Sequence, residues 1–140
     1  MRRTTASIAA LACAVGAALA SVPADAAPRR FTWSDYAYTL TIGCYCPREA
    51  PVRVTVHDGV VTTAVFAADD AHHHTGDVAP KRYRRTIAGL LRLARSDKVD
   101  RAVVRWPATR VAPSSIYLDF DLHMADEEVS YGLSLPVRLR

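Results

Sequence analysis

Residues 52–67 read Val-Arg-Val-Thr-Val-His-Asp-Gly-Val-Val-Thr-Thr-Ala-Val-Phe-Ala, two runs rich in β-branched residues with Asp58-Gly59 between them. Asp and Gly tolerate the positive φ that a two-residue type I′ turn demands, so the stretch predicts a tight antiparallel hairpin. A two-residue turn also sets a register: His57 opposite Val60, Val56 opposite Val61, Val54 opposite Thr63, Val52 opposite Val65. One face of the hairpin is then rich in valine and must be covered, which a lone hairpin cannot achieve.

The flanking sequence supplies partners for that face. Tyr36 to Cys46 alternates, placing Tyr36, Tyr38, Leu40, Ile42, Cys44 and Cys46 on one side and Ala37, Thr39, Thr41, Gly43 and Tyr45 on the other. Phe31 and Trp33 lead into this strand. Ala68 to Ala79 has no period and reads as an exposed loop, and Pro80 to Arg85 adds a helical turn. Thr86 then fits the N-cap of a helix carrying Ile87, Leu90, Leu91 and Ala94 on one face and ending near Asp97. Three more strands are expected over Arg101–Trp106, Ile116–His123 and Val129–Leu139. Ile116, Leu118, Phe120 and Leu122 face inward on the second, and Pro136 favours an edge position for the end of the third. The expected fold is α+β: a single antiparallel sheet of about six strands in βββ-α-βββ order with one helix packed on its apolar face.

The first 26 residues belong to a different category. Arg2 and Arg3, the apolar run Ala6–Ala20 and Ala24-Asp25-Ala26 have the three parts of a secretory signal peptide, with cleavage expected after Ala26. Removing them leaves 114 of 140 residues, a single α+β domain over 27–140 with a flexible arm and lead-in at 27–34. Arg2, Arg3 and Asp25 leave with the peptide, so the net charge falls from +4 to +3. The expected location is exported, periplasmic or extracellular, with no transmembrane segment after cleavage. Export and a modest charge argue against nucleic acid as a partner. The charge is polarised, with eight basic residues in Lys81–Arg101 and five acidic ones in Asp119–Glu128.

Trp33 with Tyr36-x-Tyr38, Cys44-x-Cys46-Pro47, Pro51-Val52-x-Val54-x-Val56-x-Asp58-Gly59, Thr86-Ile87-x-Gly89-Leu90 and Asp126-Glu127-Glu128 occur in that order. Together they resemble a bacterial family of small exported domains, domain-of-unknown-function family 6174. After Trp106 the family pattern is an acidic residue and then Gly-Tyr-Pro, where this chain has Pro107 and Val111-Ala112-Pro113. The resemblance implies address and architecture and carries no activity.

Cys44 and Cys46 would be the only cysteines of the exported chain, and an oxidising compartment favours their pairing. Residues two apart on a straight strand stand about 7 Å apart, at the limit of a disulfide, so pairing requires a bend, which Gly43 and Pro47 make accessible. A structural disulfide, reduced core thiols and a redox or soft-metal pair all remain open. Asp119, Asp121 and His123 on one strand face have the chemistry for a divalent metal and equally that of a solvated acidic surface. His72-His73-His74 lies on the loop expected to be flexible, and Lys81-Arg82-Tyr83-Arg84-Arg85 reads as a solvated approach to the helix. No Ser-His-Asp order, phosphate loop or zinc spacing is present, so no catalytic residue and no cofactor is expected. The polar face of the sheet is the candidate binding face, with Thr39, Tyr45, Arg53, Thr55, His57, Arg105, Tyr117, Asp119 and Asp121. The expectation is a non-catalytic binding or inhibitory module for a protein or envelope component. The alternative is a thiol-redox or metal-handling protein using Cys44 and Cys46.

Overall fold

A computed structural model describes residues 29–124 and 126–140, and the expected signal peptide lies outside them. The described chain forms β1 (Tyr36–Gly43), β2 (Val52–His57), β3 (Val60–Phe66), a 3-10 turn at Lys81–Tyr83 and α1 (Ile87–Leu93). It continues with β4 (Arg101–Arg105), β5 (Ser115–Asp119), β6 (Glu128–Leu133) and β7 (Val137–Arg138). All seven strands join one antiparallel sheet in the order β3-β2-β1-β6-β5-β4, with β7 pairing to β1 beyond the end of β6. The first and sixth strands are thus central, which puts the outset and the end of the domain side by side. Among the described residues no helix is long and apolar enough to cross a membrane.

The Asp58-Gly59 turn forms with φ of 49° and 73°, as its residue types require. His57–Val60 and Val56–Val61 pair as expected, but the ladder then shifts by one residue, so that Thr55 meets Thr63, Val54 meets Ala64 and Val52 meets Phe66. Thr62 is the extra residue of this bulge, and its hydroxyl donates to the Thr55 carbonyl at 3.3 Å. The shift turns Ala64 and Phe66 into the core beside Val52, Val54 and Val56 and moves Thr63 and Val65 to the opposite face. Phe66 is the reason: it packs edge-on to Tyr83 and stacks on His73 with ring centroids 4.0 Å apart.

Four element boundaries differ from expectation. β1 stops at Gly43, and Cys44, Tyr45 and Cys46 are exposed rather than alternating in and out of the core. Cys44 and Cys46 are bonded with Cα atoms 5.1 Å apart, closer than an extended strand allows, so the chain bends away from the sheet there. β5 ends at Asp119, leaving Leu122 exposed and placing Asp121 and His123 in the following turn. α1 ends at Leu93, four residues before Asp97. The last strand divides at Ser134-Leu135-Pro136, since Pro136 has no N–H for the ladder. Ser134 bridges the break: its N–H donates to the Thr39 carbonyl and its hydroxyl accepts from the Thr39 N–H at 2.8 Å.

One core cluster gathers the inward residues of five strands, Tyr36, Tyr38 and Leu40 of β1 among them, with Ile87, Leu90 and Leu91 of α1. Each such aliphatic side chain contributes about 1.5–3 kcal/mol on burial. Two tyrosines of β1 add polar ties. The N–H of Ile87, in the first turn of α1 and without an intrahelical partner, donates to the Tyr36 hydroxyl at 3.0 Å, and the Tyr38 hydroxyl donates to the Arg85 carbonyl at 2.6 Å. Thr86 caps the helix as expected, accepting from the Gly89 N–H at 2.9 Å. The lead-in is tied down from Arg29 onward: the Arg29 guanidinium lies over Trp106 and donates to the Arg110 carbonyl, and Phe31 packs edge-on against Tyr36.

Candidate functional site

In an antiparallel ladder, residues directly opposite one another share a face, so the register defines the outer surface row by row. Thr39, Arg53 and Val65 form one row; Thr41, Gly132, Ser115 and Arg105 a second. Gly43, Ser130, Tyr117 and Val103 form the third, and Glu128, Asp119 and Arg101 the fourth. Six of the residues expected on a binding face, Thr39, Arg53, Thr55, Arg105, Tyr117 and Asp119, stand together on this surface. His57 continues the phase of Arg53 and Thr55, opposite Val60, at the far end of the same face, while Tyr45 and Asp121 lie outside its rows. His57 sits at the hairpin end with its Nδ1 3.3 Å from Asp35, Tyr45 rises from the disulfide loop beside the surface, and Asp121 lies in the turn after β5.

A trough of about 540 Å³ lies at the centre of the face, with Thr41, Gly43, Ser115, Ser130 and Gly132 among its lining. A Cβ added to Gly43 would lie 2.6 Å from the Ser130 hydroxyl, and one added to Gly132 would strike the Thr41 hydroxyl. The Ser130 hydroxyl donates back to the Gly43 carbonyl at 3.2 Å. At one end of the trough Tyr45, 93% exposed, and Tyr117 line a pocket of about 390 Å³ with Gly43, Cys44, Glu128 and Ser130. Desolvation, and then the Glu128 carboxylate at its hydroxyl, hold the Tyr117 phenol above its ordinary range. Asp119 is the one buried charged residue among those described, 6% exposed, and its Oδ1 accepts from the Asp121 N–H at 3.2 Å. Gly43, Ser115, Ser130, Gly132 and Glu128 were not among the expected site residues. The alternation Glu128-x-Ser130-x-Gly132, opposite in phase to Val129, Tyr131 and Leu133, is the signal that places β6's polar side.

A second concavity, about 790 Å³, lies between the hairpin tip and α1, with Val60, Val61 and Leu93 below Lys81, Arg84 and Arg85. Part of this basic run is structural. Tyr83 is buried and donates to Glu49 Oε2 at 2.8 Å, Arg82 pairs with the other oxygen of Glu49, and Arg84 donates to the Val61 carbonyl at 2.7 Å. Burial, with the Glu49 contact after it, pushes the Tyr83 phenol up to about 12.

The histidine loop is clasped rather than loose. Asp70 accepts from the N–H groups of His72, His73 and Ala50 at 2.7–2.8 Å, Asp69 from both groups of Thr75, and Asp77 from the His74 N–H. These backbone donors hold the Asp69 and Asp70 carboxyls below the usual range. Among the described residues no three His, Cys, Asp or Glu side chains converge as a metal site. Among the described residues the His123 ring meets Asp121, at 3.2 Å, and β5 ends at Asp119, so the Asp119, Asp121 and His123 set is not assembled on one strand face.

The fold and this surface define a small, mostly sheet α+β domain with an exposed polar sheet face. The chain belongs to the family of unknown function DUF6174, whose model matches residues 23–136. No curated protein and no solved structure matches it.

Proposed function

We propose that the protein is an exported, non-catalytic binding or inhibitory module that engages a protein or envelope component through the outer face of its sheet. The reading takes α1 as cover for one face only. Ile87, Leu90 and Leu91 in the core and the Tyr36 and Tyr38 hydroxyls at the helix approach support that arrangement. The observation that carries the proposal is the set of rows from Thr39 and Arg53 to Tyr117 and Arg101, polar and aromatic-dotted, with Thr41, Arg53, Arg101, Arg105, Glu128 and Ser130 exposed and Asp119 buried among them. The test is capture from envelope extracts by the intact protein and by a variant with Tyr45, Tyr117 and the exposed Arg105 replaced by Ala. Loss of specific partners from the variant supports the face; identical recovered proteins overturn it.

A second reading uses Cys44 and Cys46 for thiol–disulfide exchange, favoured by the exposure of both residues. A redox titration against glutathione tests it: a bridge reduced within the envelope's range supports exchange, and one resistant throughout excludes it.

A further inference from the structure

The pocket at the end of the trough combines two features found together where cations are recognised: aromatic faces and a carboxylate. Tyr45 is held 93% exposed between two bonded cysteines, so its ring is presented on a loop with little freedom left to lose on binding. Tyr117 stands in the same pocket from β5, and Glu128 from β6 lies diagonal to it, one row on, since the register sets Tyr117 against Ser130 and Asp119 against Glu128. The ion pairs among the described residues are His57–Asp35, Arg82–Glu49 and His123–Asp121, so Glu128 has no cation of its own within pairing distance. The nearest basic row member, Arg101, stands opposite Asp119 and close enough to act on the Tyr117 phenol, and is one cation against Asp119 and Glu128 in its row. Asp126 and Glu127 precede Glu128 and are exposed, which leaves this end of the face negative while the rest of the domain carries the basic excess.

We propose that Tyr45, Tyr117 and Glu128 form a subsite for an arginine side chain of a protein partner. A planar guanidinium can stack on a tyrosine ring while its fork of N–H groups donates to one carboxylate, a combination that an ammonium satisfies less completely. Gly43 and Ser130 complete the lining of the pocket beside them. The subsite rests on the binding-face reading and names the chemistry that the face selects.

The probe is n-butylguanidinium, with the neutral isostere n-butylurea as control, titrated into the protein and followed by the ring resonances of Tyr45 and Tyr117. The expected result is saturable shifts of both rings by the cation at millimolar concentration and none by the urea. Glu128→Gln, an exposed substitution that leaves the core untouched, weakens binding by about fivefold or more, and Tyr45→Ala does likewise. Raised salt weakens the wild-type interaction. Equal response to urea and guanidinium, or a Glu128→Gln variant that binds as wild type, overturns the subsite. The two readings fail separately. Absent guanidinium binding, with capture of envelope partners still lost in face variants at Thr39 and Arg53, rejects the subsite and leaves the face standing.

Discussion

Replacing Tyr36 by Phe removes one oxygen atom and strands one donor. The Ile87 N–H belongs to the first turn of α1, where no carbonyl of the helix can reach it, and the Tyr36 hydroxyl is its acceptor in an environment where both residues are at most 1% exposed. Without that oxygen the N–H stays buried and unpaired, at a cost of about 1–3 kcal/mol. Tyr38→Phe is the natural control: it removes a hydroxyl from the same strand face, but the acceptor it deserts is the carbonyl of exposed Arg85, which water can reach. Its cost should stay near 0.5–1.5 kcal/mol, the ordinary net value of a hydrogen bond. In a domain of this size each kcal/mol corresponds to roughly 3–6 °C in Tm. Urea denaturation of the two variants and the wild type measures the difference directly. Tyr36→Phe should be the less stable, and its α1 amides should exchange faster. Equal midpoints for the two variants, or a Tyr36→Phe loss below about 0.5 kcal/mol, would refute the claim that this hydroxyl anchors the helix to the sheet.

Thr86→Ala deletes the cap on Gly89 and should cost about 1 kcal/mol in the same assay. Tyr36, Tyr38 and Tyr83 have phenols raised by burial, Tyr83 to about 12, so their contribution is complete below pH 10 and is lost as pH rises from 10 through the folded-state values. Stability measured between pH 9 and 12 should therefore fall, and fall less steeply in Tyr83→Phe; an unchanged slope contradicts the assignment. The Asp70 clasp has the opposite sense. Its carboxyl is depressed, so the clasp is present above the ordinary carboxylate range and is lost as pH falls through the lower folded-state value. Asp70→Ala at neutral pH should speed exchange of the His72, His73 and Ala50 amides by about tenfold or more while leaving β1 protected.

The hairpin, the helix cap and the phases of β1, β2 and β5 are legible in the chain because each is set by neighbours in sequence. Asp58-Gly59 dictates a turn, Thr86 a cap, and alternation a face. The Thr62 bulge is not, since both registers bury a run of valines. What selects the observed one is Phe66 packing on His73 and Tyr83, partners 7 and 17 residues away. Leu122 fits an inward position by period alone, yet the strand stops at Asp119 because β6 begins pairing at Glu128 and the turn between them must be closed. The cysteines show how a covalent constraint outweighs alternation: a bond between residues two apart cannot coexist with an extended strand, and the strand yields. For the candidate face, the polar sides of β1, β2 and β5 are readable from period two. The contribution of β6 emerges only when Gly132 and Ser130 are seen opposite Thr41 and Gly43, a pairing across about ninety residues of chain.

The proposed binding face is tested most directly by a side-chain-specific probe. A photocrosslinking residue placed at Thr55, Ser115 or Ser130 of the full chain, expressed and irradiated in intact cells, should yield one shared adduct from all three outer-face positions. The same residue at Lys81 in the 3-10 turn or Arg92 in α1 should not yield it. An adduct formed from Lys81 or Arg92 and absent from the three sheet positions would contradict the account.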